Sequence, residues 1–454
     1  MNAPPVMPMT LFGTDGVRGI PGTPPLDERT LIRLGVAIAR TLGDNTAPVR
    51  VCLGRDTRES GPWVTGHLVR GLVGAGATVT DGGVLSTPAV ACVTRDGAYD
   101  AGIVVSASHN PFRDNGVKVF TRSGEKADDA VESRLTAACV LDDAFSLPPR
   151  GEPPAESAGL ADGYLARVTS LFEGLVVPPD FRLALDCANG ATSSLAPQAC
   201  RDVGLDPIVL HDQPDGRNIN LECGSTHPED LARVVVKQGC RLGAAFDGDG
   251  DRVVFVDHRG VLVDGDAVLL IAARRLLAAG RLPHRGIVAT VMSNIGLEQA
   301  LRVDGIAMHR CAVGDRAVWS DMTRRGLGLG GEQSGHIIVG DHLPTGDGLA
   351  TAMLIMRAVI ETGCELSELA ADLIQAPQVL VNVRVRERVP LTDVPAVSRL
   401  VTAAERQLAD AGRVLVRYSG TEPLLRVMIE GPDQAVIQGL ADEIAAQVHT
   451  DLGL

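Results

Sequence analysis

The chain has 454 residues, 45% of them apolar and 22% charged, which is enough to bury the cores of about three or four ordinary domains. Its net charge of −14, from 42 basic and 56 acidic side chains, argues against nucleic acid as a partner, because a phosphate backbone needs a basic footprint. The nine cysteines are scattered without a Cys-x-x-Cys pair, which argues against a zinc site or a disulfide framework. The start, Met1 to Pro5, has neither the charged nor the apolar region of a secretory leader. The apolar run Leu349 to Met356 stops at Arg357, far short of the about 20 residues that a membrane span needs. A cytoplasmic protein with no membrane association is expected.

Taken in chain order, the first feature is the Gly-rich turn Gly13 to Gly19, which carries one cation, Arg18. It lacks the Gly-Lys-Ser/Thr ending of a P-loop. Asp27 is placed to cap a helix bearing Leu31, Leu34 and Ile38 on one face. Strands are predicted at Val49 to Leu53 and Ala101 to Val105, and the second delivers the turn Ser106-Ala107-Ser108-His109-Asn110-Pro111 to a strand C-terminus, where open α/β sheets hold ligands. The proline-bearing segment Asp142 to Gly159 reads as a linker. A strand at Arg182 to Leu185 begins another α/β region. Two apolar strands, Leu242 to Phe246 and Val253 to Val256, flank Asp247-Gly248-Asp249-Gly250-Asp251-Arg252. A boundary near Asp257 to Gly260 precedes a further strand, Ile287 to Val291, and the polar turn Gly331-Glu332-Gln333-Ser334-Gly335-His336. Weak likeness among the strand–turn–helix segments suggests internal repetition. After a boundary at Gln375 to Gln378, the rest reads strand, helix, strand, strand, helix, starting with Val379 to Val385. The expected domains are therefore 1–150, 155–256, 257–376 and 377–454: three α/β units and a smaller α+β unit.

Two of these motifs complete each other. A serine on a turn can carry a phosphoryl group, and three carboxylates in five residues can hold a hard divalent cation. Ser108 is the expected carrier, with Ser106 in a structural role. His109 stands where it could exchange a proton. The aspartate loop is no EF-hand: Arg252 takes the place of its glycine and His258 the place of its glutamate. Asp247, Asp249 and Asp251, with no fourth carboxylate, suit Mg²⁺ that takes a further ligand from a phosphate. Glu332 and Ser334 offer hydroxyl-binding groups. Arg417, Ser419, Gly420 and Thr421, with Arg426 nearby, have the donors of a phosphate clamp. Lys118, after Asp114-Asn115-Gly116, is either a surface lysine or lies over the Ser108 phosphate.

These loops, together with Asp215 to Glu229, occur in this order in the α-D-phosphohexomutase family, which the chain resembles over essentially its whole length, most closely in the bacterial glucosamine-phosphate branch. The resemblance implies three similar mixed α/β domains and a smaller fourth one around a central cleft. It implies that Ser108 is phosphorylated, and that Ser108 and the three aspartates bind one Mg²⁺ per subunit. It further implies that Glu332 and Ser334 read the sugar, and that Arg417, Ser419, Gly420, Thr421 and Arg426 bind phosphate. Arg18, His109, Lys118 and His336 match cationic or proton-exchanging positions, with the general base left open among the last three. The implied reaction interconverts glucosamine 6-phosphate and glucosamine 1-phosphate through a bisphosphorylated intermediate, for amino-sugar and cell-wall precursor synthesis. The same chemistry on mannose or glucose phosphates is the alternative. The implied assembly is a monomer or a homodimer.

Overall fold

A computed structural model describes residues 11–13, 15–43, 47–140, 149, 154–157, 159–419 and 423–454. Most of the expected linker, including Pro148 and Pro153, lies outside them, as do Gly420 and Thr421. The described chain divides into two compact units. One runs through Thr290 and takes in His309–Ala370; the other joins Val291–Met308 to Ala371–Leu454.

The first unit is built on a repeated sheet plan. Strands β1 (Val17–Gly19), β2 (Arg50–Arg55), β3 (Thr78–Val84), β4 (Ala101–Val105) and β5 (Asn115–Thr121) lie in the order β1-β5-β4-β2-β3. Strands β6 (Leu183–Asp186), β7 (Ile208–Leu210), β8 (Leu242–Phe246), β9 (Val253–Asp257) and β10 (Leu262–Val263) lie in the order β10-β9-β8-β6-β7. A third sheet holds β11 (Gly286–Thr290), β12 (Ala307–Cys311), β13 (Leu329–Gly331) and β14 (Ile337–Val339), in the order β12-β11-β13-β14. In each, a parallel pair (β2 with β4, β6 with β8, β11 with β13) is followed by an antiparallel return (β5, β9, β14). The suspected repetition is thus real at the level of topology. Its consequence is positional: the Ser108 turn, the Asp247 loop and the Glu332 loop are the same connection in three successive sheets.

The central strands form because their apolar runs are buried on both faces; β4, β8 and β11 are buried at every residue. The helix Glu28–Thr41 starts where expected. Asp27 Oδ1 accepts the Thr30 N–H at 3.1 Å, and Leu31, Leu34 and Ile38 are fully buried. Among the described residues no helix is long and apolar enough to cross a membrane, and all nine cysteines are free thiols.

In the second unit, β15 (Gln378–Arg384), β16 (Arg413–Tyr418) and β17 (Leu424–Glu430) form an antiparallel sheet in the order β15-β17-β16. Helices Pro395–Leu408 and Gln434–Leu452 supply Val397, Ile437 and Ile444 to its core. A third helix, Ile295–Val303, comes from the earlier segment, and the fully buried Glu430 anchors it. Glu430 accepts from Ile295 N at 3.0 Å, from Asn294 Nδ2 at 3.4 Å and from Arg413 Nε at 2.7 Å. The Arg413 fork also reaches the carbonyls of Val291 and Ser293.

Candidate active site

The Ser108 turn leaves the C-terminal end of β4, beside the turn that leaves the parallel strand β2. Ser108 adopts the left-handed backbone conformation, φ +53°, which costs a non-glycine residue about 1–2 kcal/mol. Side chains hold it there. Ser106 Oγ accepts the Ser108 N–H at 2.9 Å and donates to Asp56 Oδ2. This is the structural role expected of Ser106. The carbonyls of Ser108 and Asn110 accept from Arg58 Nη2 at 2.9 and 2.7 Å, and both also accept from Asn220 Nδ2. The result is a buried hydroxyl, 1% exposed, pointing at the aspartate loop.

The aspartate loop closes onto it. Gly250 takes a positive φ of 74°, and a Cβ on Gly248 would stand 2.7 Å from the Ser108 carbonyl oxygen, so only glycine lets the two loops touch. Ser108 Oγ donates to Asp247 Oδ2 at 2.5 Å. One carboxylate oxygen from each of Asp247, Asp249 and Asp251 lies within 4.8 Å of the others, and all three side chains are buried. Lys118 Nζ sits on Asp249 Oδ2 at 2.7 Å and on Asp251 Oδ2 at 2.9 Å. Thr87 donates to Asp249 Oδ2 at 2.6 Å. That leaves Asp249 Oδ1 and Asp251 Oδ1 buried with no hydrogen-bond donor. Two orphaned carboxylate oxygens beside an ammonium fit a site for a hard divalent cation.

Electrostatics sort the three aspartates. Burial, then Asp251 and Asp249, push the Asp247 carboxyl well above the usual carboxylate range. Burial also opposes the charge on Asp251, but Lys118, His336 and Arg252 overcome it and hold that carboxyl well below the range. The Lys118 ammonium is fully buried; burial disfavours it, and Asp15, Asp249 and Asp251 raise it well above its ordinary value. It is a fixed cation at neutral pH.

The remaining cationic positions differ in what they can do. His109 Nδ1 lies 3.4 Å from Ser108 Oγ and 2.9 Å from Arg252 Nη1. Burial and the Arg252 charge lower its affinity for a proton, so the ring is neutral. His336 places Nδ1 3.7 Å from Asp251 Oδ1. Burial opposes a charge there, but Asp251, Asp315 and Glu332 outweigh it and raise the proton affinity of the ring. However, Nε2 accepts the Gly346 N–H at 3.1 Å, which leaves no place for a second ring proton. Arg18 pairs with Asp15, which also takes Lys126.

Lys126 continues to Asp315 at 2.9 Å and borders a cavity of about 480 Å³, lined also by Glu125, Arg316, Trp319 and Thr345. The sugar loop stands near it: Glu332 Oε1 accepts the N–H of Gly314, another lining residue, at 3.0 Å. Glu332 is buried and Ser334 exposed. In the second unit, Arg417 and Arg426 are direct partners across β16 and β17, and Arg426 Nη2 reaches Ser419 Oγ at 3.4 Å. The rest of the expected clamp, Gly420 and Thr421, lies outside the described residues.

Sequence reasoning missed Asp15, Asp56, Arg58, Thr87, Lys126 and Asn220. The one available signal was position: Asp56 to Arg58 follow a strand C-terminus, as Ser108 does. It also missed a second grouping, Asp186, His211 and Cys223. Both Asp186 oxygens there accept backbone N–H groups, from Ala188 and Gly224 at 2.9 Å each, which is the work of a loop anchor.

Comparison with known proteins agrees with the topology. The four domain families described as phosphoglucomutase/phosphomannomutase match in full sequence order: alpha/beta/alpha domain I at residues 9–142, domain II at 162–260, domain III at 264–376 and the C-terminal domain at 380–447. The phosphoglucosamine mutase of Solibacter usitatus is 44% identical, covering 98% of this chain and 100% of its own. That of Koribacter versatilis is 46% identical, covering 98% and 97%. A solved phosphoglucomutase/phosphomannomutase family protein from Burkholderia thailandensis superposes with a TM-score of 0.80 at 25% identity, covering 98% of this chain and 99% of that one.

Proposed function

The chain belongs to the phosphoglucomutase/phosphomannomutase family, an isomerase family of phosphoryl-transfer mutases, and on that footing we propose that it interconverts glucosamine 6-phosphate and glucosamine 1-phosphate. The observation that carries the mechanism is the Ser108 hydroxyl, 2.5 Å from Asp247 in a pocket of three aspartates. Ser108 carries the phosphoryl group. Its P–O bond breaks as a bond forms to the free hydroxyl of the sugar phosphate, and the hydroxyl's proton ends on Ser108 Oγ. The bisphosphorylated sugar then turns and returns its other phosphoryl group to Ser108 by the reverse step.

Asp247, Asp249 and Asp251 would hold Mg²⁺, which supplies charge neutralisation for the transferring oxygens. Lys118 and Arg18 are fixed cations near the same position. His109 is the proton carrier we favour, because it is neutral and lies 3.4 Å from Ser108 Oγ, whereas Lys118 is held charged and His336 Nε2 is committed to the Gly346 N–H. Glu332 and Ser334 read sugar hydroxyls. Arg417, Ser419, Gly420, Thr421 and Arg426 bind the phosphate that is not reacting. The enzyme acts in the cytoplasm.

The test is a set of rates on the 1- and 6-phosphates of glucosamine, mannose and glucose, with inorganic phosphate followed in parallel. Fastest turnover of the glucosamine pair, without phosphate release, is expected. Faster turnover of mannose or glucose phosphates would reassign the sugar. Steady phosphate release would make the protein a phosphatase.

A further inference from the structure

We propose that Arg58 is a positioning residue for phosphoryl transfer, acting only through the backbone of the Ser108 turn. This rests on Ser108 as the phosphoryl carrier and assigns a role to a residue whose side-chain hydrogen bonds go to Asp56 and to the Ser108 turn. Arg58 is among the largest fully buried side chains of the protein. Its charge is balanced locally: Nε donates to Asp56 Oδ2 at 2.8 Å, and its own N–H donates to Asp56 Oδ1 at 3.0 Å. The rest of the fork is spent on one target. Nη2 donates to the carbonyls of Ser108 and Asn110, and Nη1 donates to that of Pro111. Three carbonyls from four consecutive residues converge on one guanidinium.

That geometry solves a specific problem. A turn that curls to present a serine at positive φ points its carbonyls toward the fold: that of Ser108 is buried, and those of Asn110 and Pro111 are partly buried. A buried carbonyl without a donor keeps the full desolvation cost of that group. The planar fork answers three at once, and its rigidity fixes their mutual angles as a lysine ammonium could not. Asp56 is the joint of the device. It also takes the Ser106 hydroxyl, which in turn receives the Ser108 N–H. Arg58 and Ser106 therefore grip Ser108 at its carbonyl and at its N–H, the two peptide units on either side of its Cα, through one carboxylate. The Ser108 hydroxyl direction, and with it the line from phosphorus to the attacking oxygen, is set by this grip.

Misplacing a reacting group by about 1 Å can lower the rate by about 100-fold while leaving binding alone. Arg58→Lys in the full chain, with saturating Mg²⁺, should therefore lower kcat on the order of 10–100-fold and leave KM within about threefold. Arg58→Ala should lose more, and added guanidinium ion at millimolar concentration should restore part of its kcat. The thermal midpoint of each variant is measured alongside. If Arg58→Ala does not fold, Arg58→Lys decides. Wild-type kcat in Arg58→Lys, a loss confined to KM, or a folded Arg58→Ala indifferent to guanidinium would each overturn the proposal. Failure of the underlying reading looks different: the wild-type protein would carry no phosphate on Ser108 whatever Arg58 does.

Discussion

Charge is arranged in opposite ways at the aspartate loop of the first unit and at the arginine pair of the second. Around Asp247, Asp249 and Asp251, buried anions are met inside the fold by Lys118 and Arg252, and the one carboxyl that burial and its neighbours disfavour most, Asp247, takes the Ser108 hydroxyl. At β16 and β17, two guanidinium groups face each other across the ladder. Burial and then Arg426 lower the Arg417 pKa, so its charge is disfavoured where it stands. The first arrangement is balanced in part before any ligand arrives, with Asp249 Oδ1 and Asp251 Oδ1 left over for a cation, and it fixes atoms. The second holds like charges together, and a bound dianion would relieve them. A place that performs chemistry gains from rigidity, whereas a place proposed to capture phosphate would gain from like charges held together.

The comparison breaks most simply at Ser108. Ser108→Ala should abolish turnover, and intact-mass analysis should show the loss of a species one phosphate heavier, while Ser106→Ala keeps that species and turns over more slowly. An active Ser108→Ala would remove the carrier from the first region altogether.

The internal balance of that region predicts an order among the aspartates. In chelator, Asp251→Asn should lower unfolding free energy by about 3–5 kcal/mol, because Lys118 and His336 lose a buried partner. Asp247→Asn should lower it much less, since an amide still accepts from Ser108 and the charge removed is a disfavoured one. Denaturant titration of both checks this, and equal losses would mean that the loop is not internally balanced. Both variants should bind Mg²⁺ more weakly by calorimetry.

For the second region the expectation reverses. Arg417→Ala should cost on the order of 10–100-fold in kcat/KM, as one charge-assisted contact of roughly 1.5–3 kcal/mol implies, with similar losses in the forward and reverse directions. Its thermal midpoint should hold or rise, because a like-charge contact has gone. A fall in stability would mean that the pair is not repulsive.

The smallest effect is on pH. His109 has its proton affinity lowered by burial and Arg252, from an ordinary value of 6.5. The native state therefore binds fewer protons than the unfolded chain between that lowered pKa and 6.5, and stability from this group is lost as pH falls through the window. If neutral His109 carries the proton, kcat/KM should fall only as pH drops through its lowered native pKa, at the acid end of that window, and His109→Gln should flatten that acid limb by a few-fold change in rate. An unchanged limb would point to another group.

How far these regions were legible in the sequence follows from which contacts are local. Ala101 to Val105 and Leu242 to Phe246 read as strands to the residue, because both are unbroken apolar runs ended by polar turns. The aspartate loop was legible because its ligands sit two residues apart. Arg58, Thr87 and Asn220 were not. Their contacts span 50, 162 and 112 residues, and nothing in a local pattern says which arginine or asparagine turns inward. The sheet plan explains the difference: it places three functional loops at equivalent connections, while their supports come from loops and a helix start elsewhere in the chain.

The seat of Glu430 sets where this chain can be cut. A fragment trimmed to 377–454 contains the whole three-stranded sheet and both of its long helices, and would pass for an autonomous domain. It would nevertheless leave behind the Ile295 N–H and Asn294 amide that receive the Glu430 carboxylate, and the Val291 and Ser293 carbonyls that occupy the Arg413 fork. The excised piece would carry a bare ionic joint on a face that is dry in the intact protein. Any transplant of this module into another protein must therefore bring the helix Ile295–Val303 with it, although more than sixty residues of unrelated chain lie between them.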